Sequence, residues 1–120
     1  MNNYIDGFVF PIPSTELETY KAVAEKVADV WKDHGALAYT EFVGDDLAME
    51  GTISFKDAMQ LKSNEVVVFG WVTFPSKEVR DLANEKVAND PRMELLVAPI
   101  SSIFDARRMV YGGFKPLILK

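Results

Sequence analysis

Glu65-Val66-Val67-Val68-Phe69-Gly70-Trp71-Val72-Thr73-Phe74 is the stretch that decides the architecture of this chain. Ten residues dominated by β-branched and aromatic side chains, halted at Pro75, spell a strand. Side chains alternate along a strand, so Val66, Val68 and Val72 point to one face of a sheet and Val67, Phe69 and Trp71 to the other. Both faces therefore demand burial. Helices can cover only one of them. The other would be a large apolar patch, and its simplest cover is a second copy packed sheet against sheet about a two-fold axis.

Working outward toward the carboxyl end, Ser76 is placed to cap a helix reaching about Asn89, with Val79, Leu82, Ala83 and Val87 as its buried stripe. Asp90-Pro91 reads as an N-cap followed by proline at the first helical position, which predicts a short helix from Pro91 to about Val97. Arg107 to Leu119 reads as a last strand, with Gly112-Gly113 marking a bulge or bend.

Toward the amino end, Leu47 to Asn64 is a long, partly ordered connection with a helical turn near Phe55 to Leu61. Ala36 to Val43 alternates like a strand and ends in the turn residues Gly44-Asp45-Asp46. Before it, Leu17, Tyr20, Ala24, Val27 and Trp31 recur at helical spacing up to His34, with Ser14 or Thr15 as cap, Glu18 as capping-box partner and Gly35 as terminator. Tyr4 to Phe10 is a first strand, closed by Pro11 and Pro13.

The order is strand, helix, strand, strand, helix, strand. That is the split βαβ pattern of a ferredoxin-like α+β fold, an antiparallel sheet with both helices on one face, read as one domain over residues 1–120.

Composition narrows the function. With 120 residues, 48% hydrophobic and 26% charged, the chain suits one ordinary globular core. A formal charge of -5 argues against nucleic acid, whose binding depends on neutralising phosphates, although Arg107, Arg108, Lys115 and Lys120 make the last segment locally basic and able to meet a small anion. The chain has no cysteine, which removes disulfides, thiolate metal sites and thiol nucleophiles and fits a cytoplasmic setting. The Met1 to Pro13 segment lacks the basic and apolar parts of a secretory signal, and the run Val66 to Phe74 is far short of the roughly 20 residues that span a bilayer. No phosphate loop, nucleophile elbow, dinucleotide fingerprint or metalloprotease motif occurs, so no cofactor is expected. Asp45, Asp46 and Glu50 lack the spacing of a calcium loop and read as turn residues, so no metal site is expected either.

Six side chains are candidates for a site. His34, the sole histidine, is the natural group for proton transfer near neutral pH, yet at a helix carboxyl end it would also serve as a C-cap facing the helix dipole. Glu41 shares its strand face with Leu37, Tyr39 and Val43, where a carboxylate needs a partner or a raised pKa. Arg107 or Arg108 is the expected partner. Alternatively Glu41 is a base or polar anchor in a pocket walled by Tyr39, Trp71 and Tyr111, with Arg108 available to an anionic ligand.

The chain also resembles a known family. Gly7-Phe8-Val9, the run Val30-Trp31-Lys32-Asp33-His34-Gly35-Ala36-Leu37, Gly44-Asp45-Asp46, Asp90-Pro91-Arg92 and Arg108-Met109-Val110-Tyr111-Gly112-Gly113-Phe114 are similar to the YbaA-like family of uncharacterised bacterial proteins. It departs from that pattern at Gly70, Ile103 and Ala106, where the family carries serine, proline and glycine. The resemblance implies a dimeric α/β-barrel assembly, an architecture shared with antibiotic-biosynthesis monooxygenases and haem-degrading enzymes. The second helix offers no histidine, so a haem ligand has no counterpart there.

Three functions fit these features. The first is a homodimer that binds or senses a small aromatic or anionic molecule. The second is a cofactor-independent monooxygenase-like enzyme using His34 or Glu41. The third is a non-catalytic interaction module using the Leu47 to Asn64 loop.

Overall fold

A strand flanked by two others is the seed of the fold. The structure, a computed structural model, describes residues 3–120, so Met1 and Asn2 of the segment read for a signal lie outside it. Strand β3 (Glu65–Phe74) lies between β2 (Ala38–Val43) and β1 (Tyr4–Pro13), and β4 (Val110–Phe114) completes a sheet of order β2-β3-β1-β4. Every pairing is antiparallel. Helix α1 (Leu17–Asp33) follows β1, a short α2 (Phe55–Ala58) lies between β2 and β3, and α3 (Lys77–Ala88) and α4 (Pro91–Val97) follow β3. The ferredoxin-like α+β fold expected from the element order is therefore the observed one.

One core joins the inner sheet face to the helices. Phe8, Phe10 and Ile12 of β1 and Val68, Val72 and Phe74 of β3 pack with Tyr20, Val23 and Val27 of α1 and with Ala83 of α3. These strand residues are two apart in sequence, and the register that pairs Phe8 with Gly70 and Phe10 with Val68 puts them on the same side. Leu82 faces solvent instead, leaving Val79, Ala83 and Val87 as the inward stripe of α3.

Local details depart from the sequence reading for identifiable reasons. Strand β1 continues through Pro11 to Pro13, because β4 pairs only as far as Val9 and a proline beyond that point has one neighbour to satisfy. A 3-10 turn over Ser14–Glu16 takes up the predicted cap, and Glu16, the residue before α1, makes no capping hydrogen bond. Asp90 caps α4 as expected, its side chain accepting from the Arg92 N–H at 2.9 Å. Gly35 sits at φ 114°, the left-handed conformation that ends α1. Strand β4 is shorter than read, because Ala106–Arg108 form a 3-10 turn capped by Asp105 and Pro116 follows Phe114 closely. Gly112 and Gly113 pair in register with Gly7 and Asp6, so they mark no bulge.

The other sheet face carries Val67, Phe69 and Trp71 beside Phe42, Val9, Val110 and Phe114. Phe42 stacks on Trp71 with ring centroids 5.8 Å apart, and Phe69 meets Trp71 edge-on at 5.9 Å. Phe55 of α2 lies edge-on to Phe69, and Val67 at the end of this face is already buried in the single chain. Phe42, Phe69, Val110 and Phe114 remain exposed.

Candidate functional site

Glu41 belongs to the inner face of β2, opposite Gly70 of β3. A Cβ at position 70 would stand 2.8 Å from Glu41 Cγ and 2.8 Å from the Phe8 ring. The glycine thus gives Glu41 room to lie across β3. Its carboxylate does not pair with arginine. Tyr20 of α1 donates its hydroxyl to both carboxylate oxygens at 2.7 Å, and Tyr39, two residues away on the same face, donates to Oε2 at 3.0 Å. Burial pushes the Glu41 carboxyl above its usual value, against the opposing pull of the two phenols. Burial, reinforced by the neighbouring carboxylate, likewise raises Tyr20 and Tyr39.

This carboxylate opens onto a cavity of about 330 Å³ between the sheet and helices α1 and α4. Phe8, Phe10, Trp31, Phe104 and Val72 supply apolar wall, and Tyr111 of β4 closes the far side. A second depression of about 460 Å³ lies on the other side of Tyr20, Tyr39 and Glu41, reaching Leu17, Lys21 and Val43. The tyrosine–carboxylate cluster is thus shared by both spaces. Across the sheet Glu41, Gly70, Phe8 and Tyr111 form one continuous row.

The structure brings together Glu41, Tyr39 and Tyr111, and separates them from the other three sequence candidates. Trp71 pairs with Thr40 on the outer face, behind the sheet, because its parity in β3 is opposite to that of Gly70 and Val72. Arg108 is occupied elsewhere: its Nη2 donates to Glu65 Oε1 at 2.8 Å and its Nη1 to Oε2 at 2.5 Å. Arg107 pairs with Asp105 at 3.1 Å. The expected Glu41–arginine pair is corrected accordingly, since Arg108 finds Glu65 at the start of β3 and Arg107 finds Asp105 in the turn before β4. His34 caps the end of α1, its N–H donating to Val30 and Trp31 carbonyls, and its Nε2 lies 2.7 Å from Asp90 Oδ2. It lines neither cavity.

Two polar participants escaped the sequence reading. Tyr20 reads from sequence as part of a core stripe or as a ring able to stack on a planar ligand, and only the packing of α1 on β2 delivers its hydroxyl to Glu41. Asp6 carried a signal that was available: it shares a strand face with Phe8 and Phe10, where a charge is out of place. Among the described residues no group of three or more histidines and carboxylates could hold a metal ion, and no helix is long and apolar enough to cross a membrane.

Comparison with known proteins follows the same lines. Residues 3–106 match the model of a family described as protein of unknown function (DUF1428). The chain is 42% identical over 115 residues to the uncharacterized protein YbaA of Escherichia coli strain K12, covering 96% of this chain and 97% of that protein. Among solved structures, it is similar to a point variant of SnoaB, a cofactor-independent oxygenase from Streptomyces nogalater, with TM-score 0.62 and 12% identity over 99% of this chain and 97% of that one. It is also similar to a dimeric ferredoxin-like protein from an uncultured marine organism, with TM-score 0.60 and 9% identity over the full length of both chains. A nipsnap family protein with unknown function from Agrobacterium tumefaciens gives TM-score 0.58 at 17% identity, over 95% of this chain and 87% of that one. At such identities the structural likenesses bear on the fold alone. The sequence match runs nearly end to end, and the chain belongs to the DUF1428 family, together with the YbaA proteins.

Proposed function

We propose that this chain acts as one domain in a cytoplasmic homodimer, with outer sheet faces packed together as in a dimeric α/β barrel, and that the inner cavity of each copy binds a small aromatic molecule. One observation carries the reading: a half-buried carboxylate, held by two phenols, is the charged group of an otherwise largely aromatic and aliphatic cavity of about 330 Å³. A structural role alone would be met more cheaply by an apolar residue, since buried ionic groups often contribute nothing net to stability. Aromatic walls supply area and stacking, and the carboxylate supplies orientation. The anionic alternative is disfavoured, because Arg108 is bound to Glu65 and Glu41 would repel a negative group.

A second reading, monooxygenase-like catalysis without a cofactor, draws on the raised pKa of Glu41 and on the fold shared with SnoaB. Here Glu41 would take a proton from the bound molecule, and Tyr20 and Tyr39 would steady the carboxylate. His34 has no part in either version, being bonded to Asp90 away from the cavity.

Ligand-observed NMR with a panel of aromatic fragments tests the binding reading. Fragments should bind the wild-type chain, and Glu41→Gln should weaken those bearing a hydroxyl by about 10- to 100-fold, the range of a hydrogen bond to a charged group. No binding at millimolar concentration would sink it. Oxygen uptake in the presence of a bound phenol, abolished in Glu41→Gln, would select the catalytic reading.

A further inference from the structure

Asp6 is the buried charged side chain of the core, 1% exposed. Its Oδ1 accepts from Arg80 Nε at 2.8 Å, but its Oδ2 is closed off from solvent with no hydrogen-bond partner. A buried acceptor left so is costly, and native structures rarely keep one without a reason. Arg80 makes no bond to that oxygen: its Nη1 donates to Asp81 at 3.0 Å, and its guanidinium lies over the Tyr4 ring at 5.2 Å.

Tyr111 is the hydroxyl in position to answer. Asp6 pairs with Gly113 and Phe8 with Tyr111, so Asp6 and Tyr111 are diagonal neighbours on the inner face, within reach of an aromatic side chain. Burial, and after it the nearby Asp6 carboxylate, pushes the Tyr111 phenol above its ordinary value. Tyr111 sits half-exposed on an edge strand and is free to adjust. It also lines the cavity, at the opposite end of the row from Glu41. Three strand spacings, about 14 Å of backbone, separate those ends.

We infer that Tyr111 determines specificity at the cavity's far end: its hydroxyl donates to the free oxygen of Asp6 and offers a bound molecule only lone pairs, so the preferred ligand is a flat apolar molecule with a hydroxyl at each end. The inference rests on the reading of the cavity as a ligand site. Glu41, ionised, is an acceptor only, and a Tyr111 whose proton is given to Asp6 is an acceptor as well. A diphenol satisfies both ends. Ethers, carbonyls and carboxylates would set lone pairs against lone pairs. Asp6 touches no ligand and acts as a positioning residue.

The test titrates the full chain with para-biphenol, its dimethyl ether and the matching biphenyl dicarboxylate, each followed by its own fluorescence. The diphenol should bind at least about tenfold more tightly than the ether, the worth of one neutral hydrogen bond, and the dicarboxylate should not bind. Tyr111→Phe should remove about tenfold from the diphenol and leave the ether unchanged. Asp6→Asn puts an amide N–H before the phenol, turning the Tyr111 proton toward the ligand, and should move the preference toward the ether. A merely structural Asp6 would weaken all probes alike. If Asp6→Asn does not fold, Tyr111→Phe alone decides. Equal affinity for diphenol and ether, or an unchanged ratio in Tyr111→Phe, overturns the inference while leaving the cavity reading intact. Failure of all three probes removes the cavity reading and the inference with it.

Discussion

Replacing Phe42 with alanine is expected to break the proposed homodimer while leaving the monomer folded. Phe42 is 61% exposed, stacks only along one side on Trp71, and lies on the sheet face opposite the core. A phenylalanine has about 200 Å² to bury, so covering its exposed part removes about 120 Å² from water. At about 25 cal/mol per Å² that is about 3 kcal/mol per copy. A two-fold pair contains the residue twice, so the dissociation constant should rise by a factor on the order of 10³ or more, allowing for partial repacking around the truncated site. Sedimentation velocity over a dilution series reads this directly, with circular dichroism as the check on folding. A wild-type chain that stays monomeric at tens of micromolar would refute the reasoning. So would a Phe42→Ala dimer whose dissociation constant lies within about threefold of wild type.

Other outcomes follow from the polar groups. An ionised Glu41 accepts from a hydroxyl more strongly than a protonated one, and burial raises its carboxyl above the ordinary value of 4.5. Ligand affinity should therefore fall on acidification beginning above that pH, and a Glu41→Gln titration should be flat across the same range. Arg108 holds the Glu65 carboxyl down to about 2. A depressed carboxyl contributes stability that is fully present above its unfolded pKa and is lost as pH falls through the folded value. Thermal melts between about pH 4.5 and 2 should accordingly lose a contribution of roughly 1–2 kcal/mol that Glu65→Gln lacks from the outset. His34→Ala should cost about 1–2 kcal/mol in urea denaturation through loss of the contact with Asp90, with no change in ligand affinity. Lost binding in a fully stable His34→Ala would return the histidine to the site.

The candidate site was only partly legible in the sequence. The unusual position of Glu41 on an apolar strand face could be read from alternation alone, and Tyr39 follows from being two residues away on the same strand. Trp71 could not be separated from them, because which face of β3 meets which face of β2 depends on register. A shift of one residue exchanges the faces. Arg108 was a reasonable partner on charge, but its distance from Glu41 across the sheet is a property of strand order, and Glu65 is nearer in space. Tyr20 was hidden because its ring belongs to the core while its hydroxyl serves the site.

From the residues alone came the order of elements, the two-faced character of β3 and the helix stripe, since each is written in local periodicity and in turn residues close along the chain. Tertiary structure alone decided that Glu41 meets two phenols, that Gly70 and Phe8 pave the row from Glu41 to Tyr111, and that Asp6 keeps one oxygen free. Those facts depend on contacts between segments far apart in sequence, where pairing register and helix placement emerge from the packing of the whole core rather than from any local pattern.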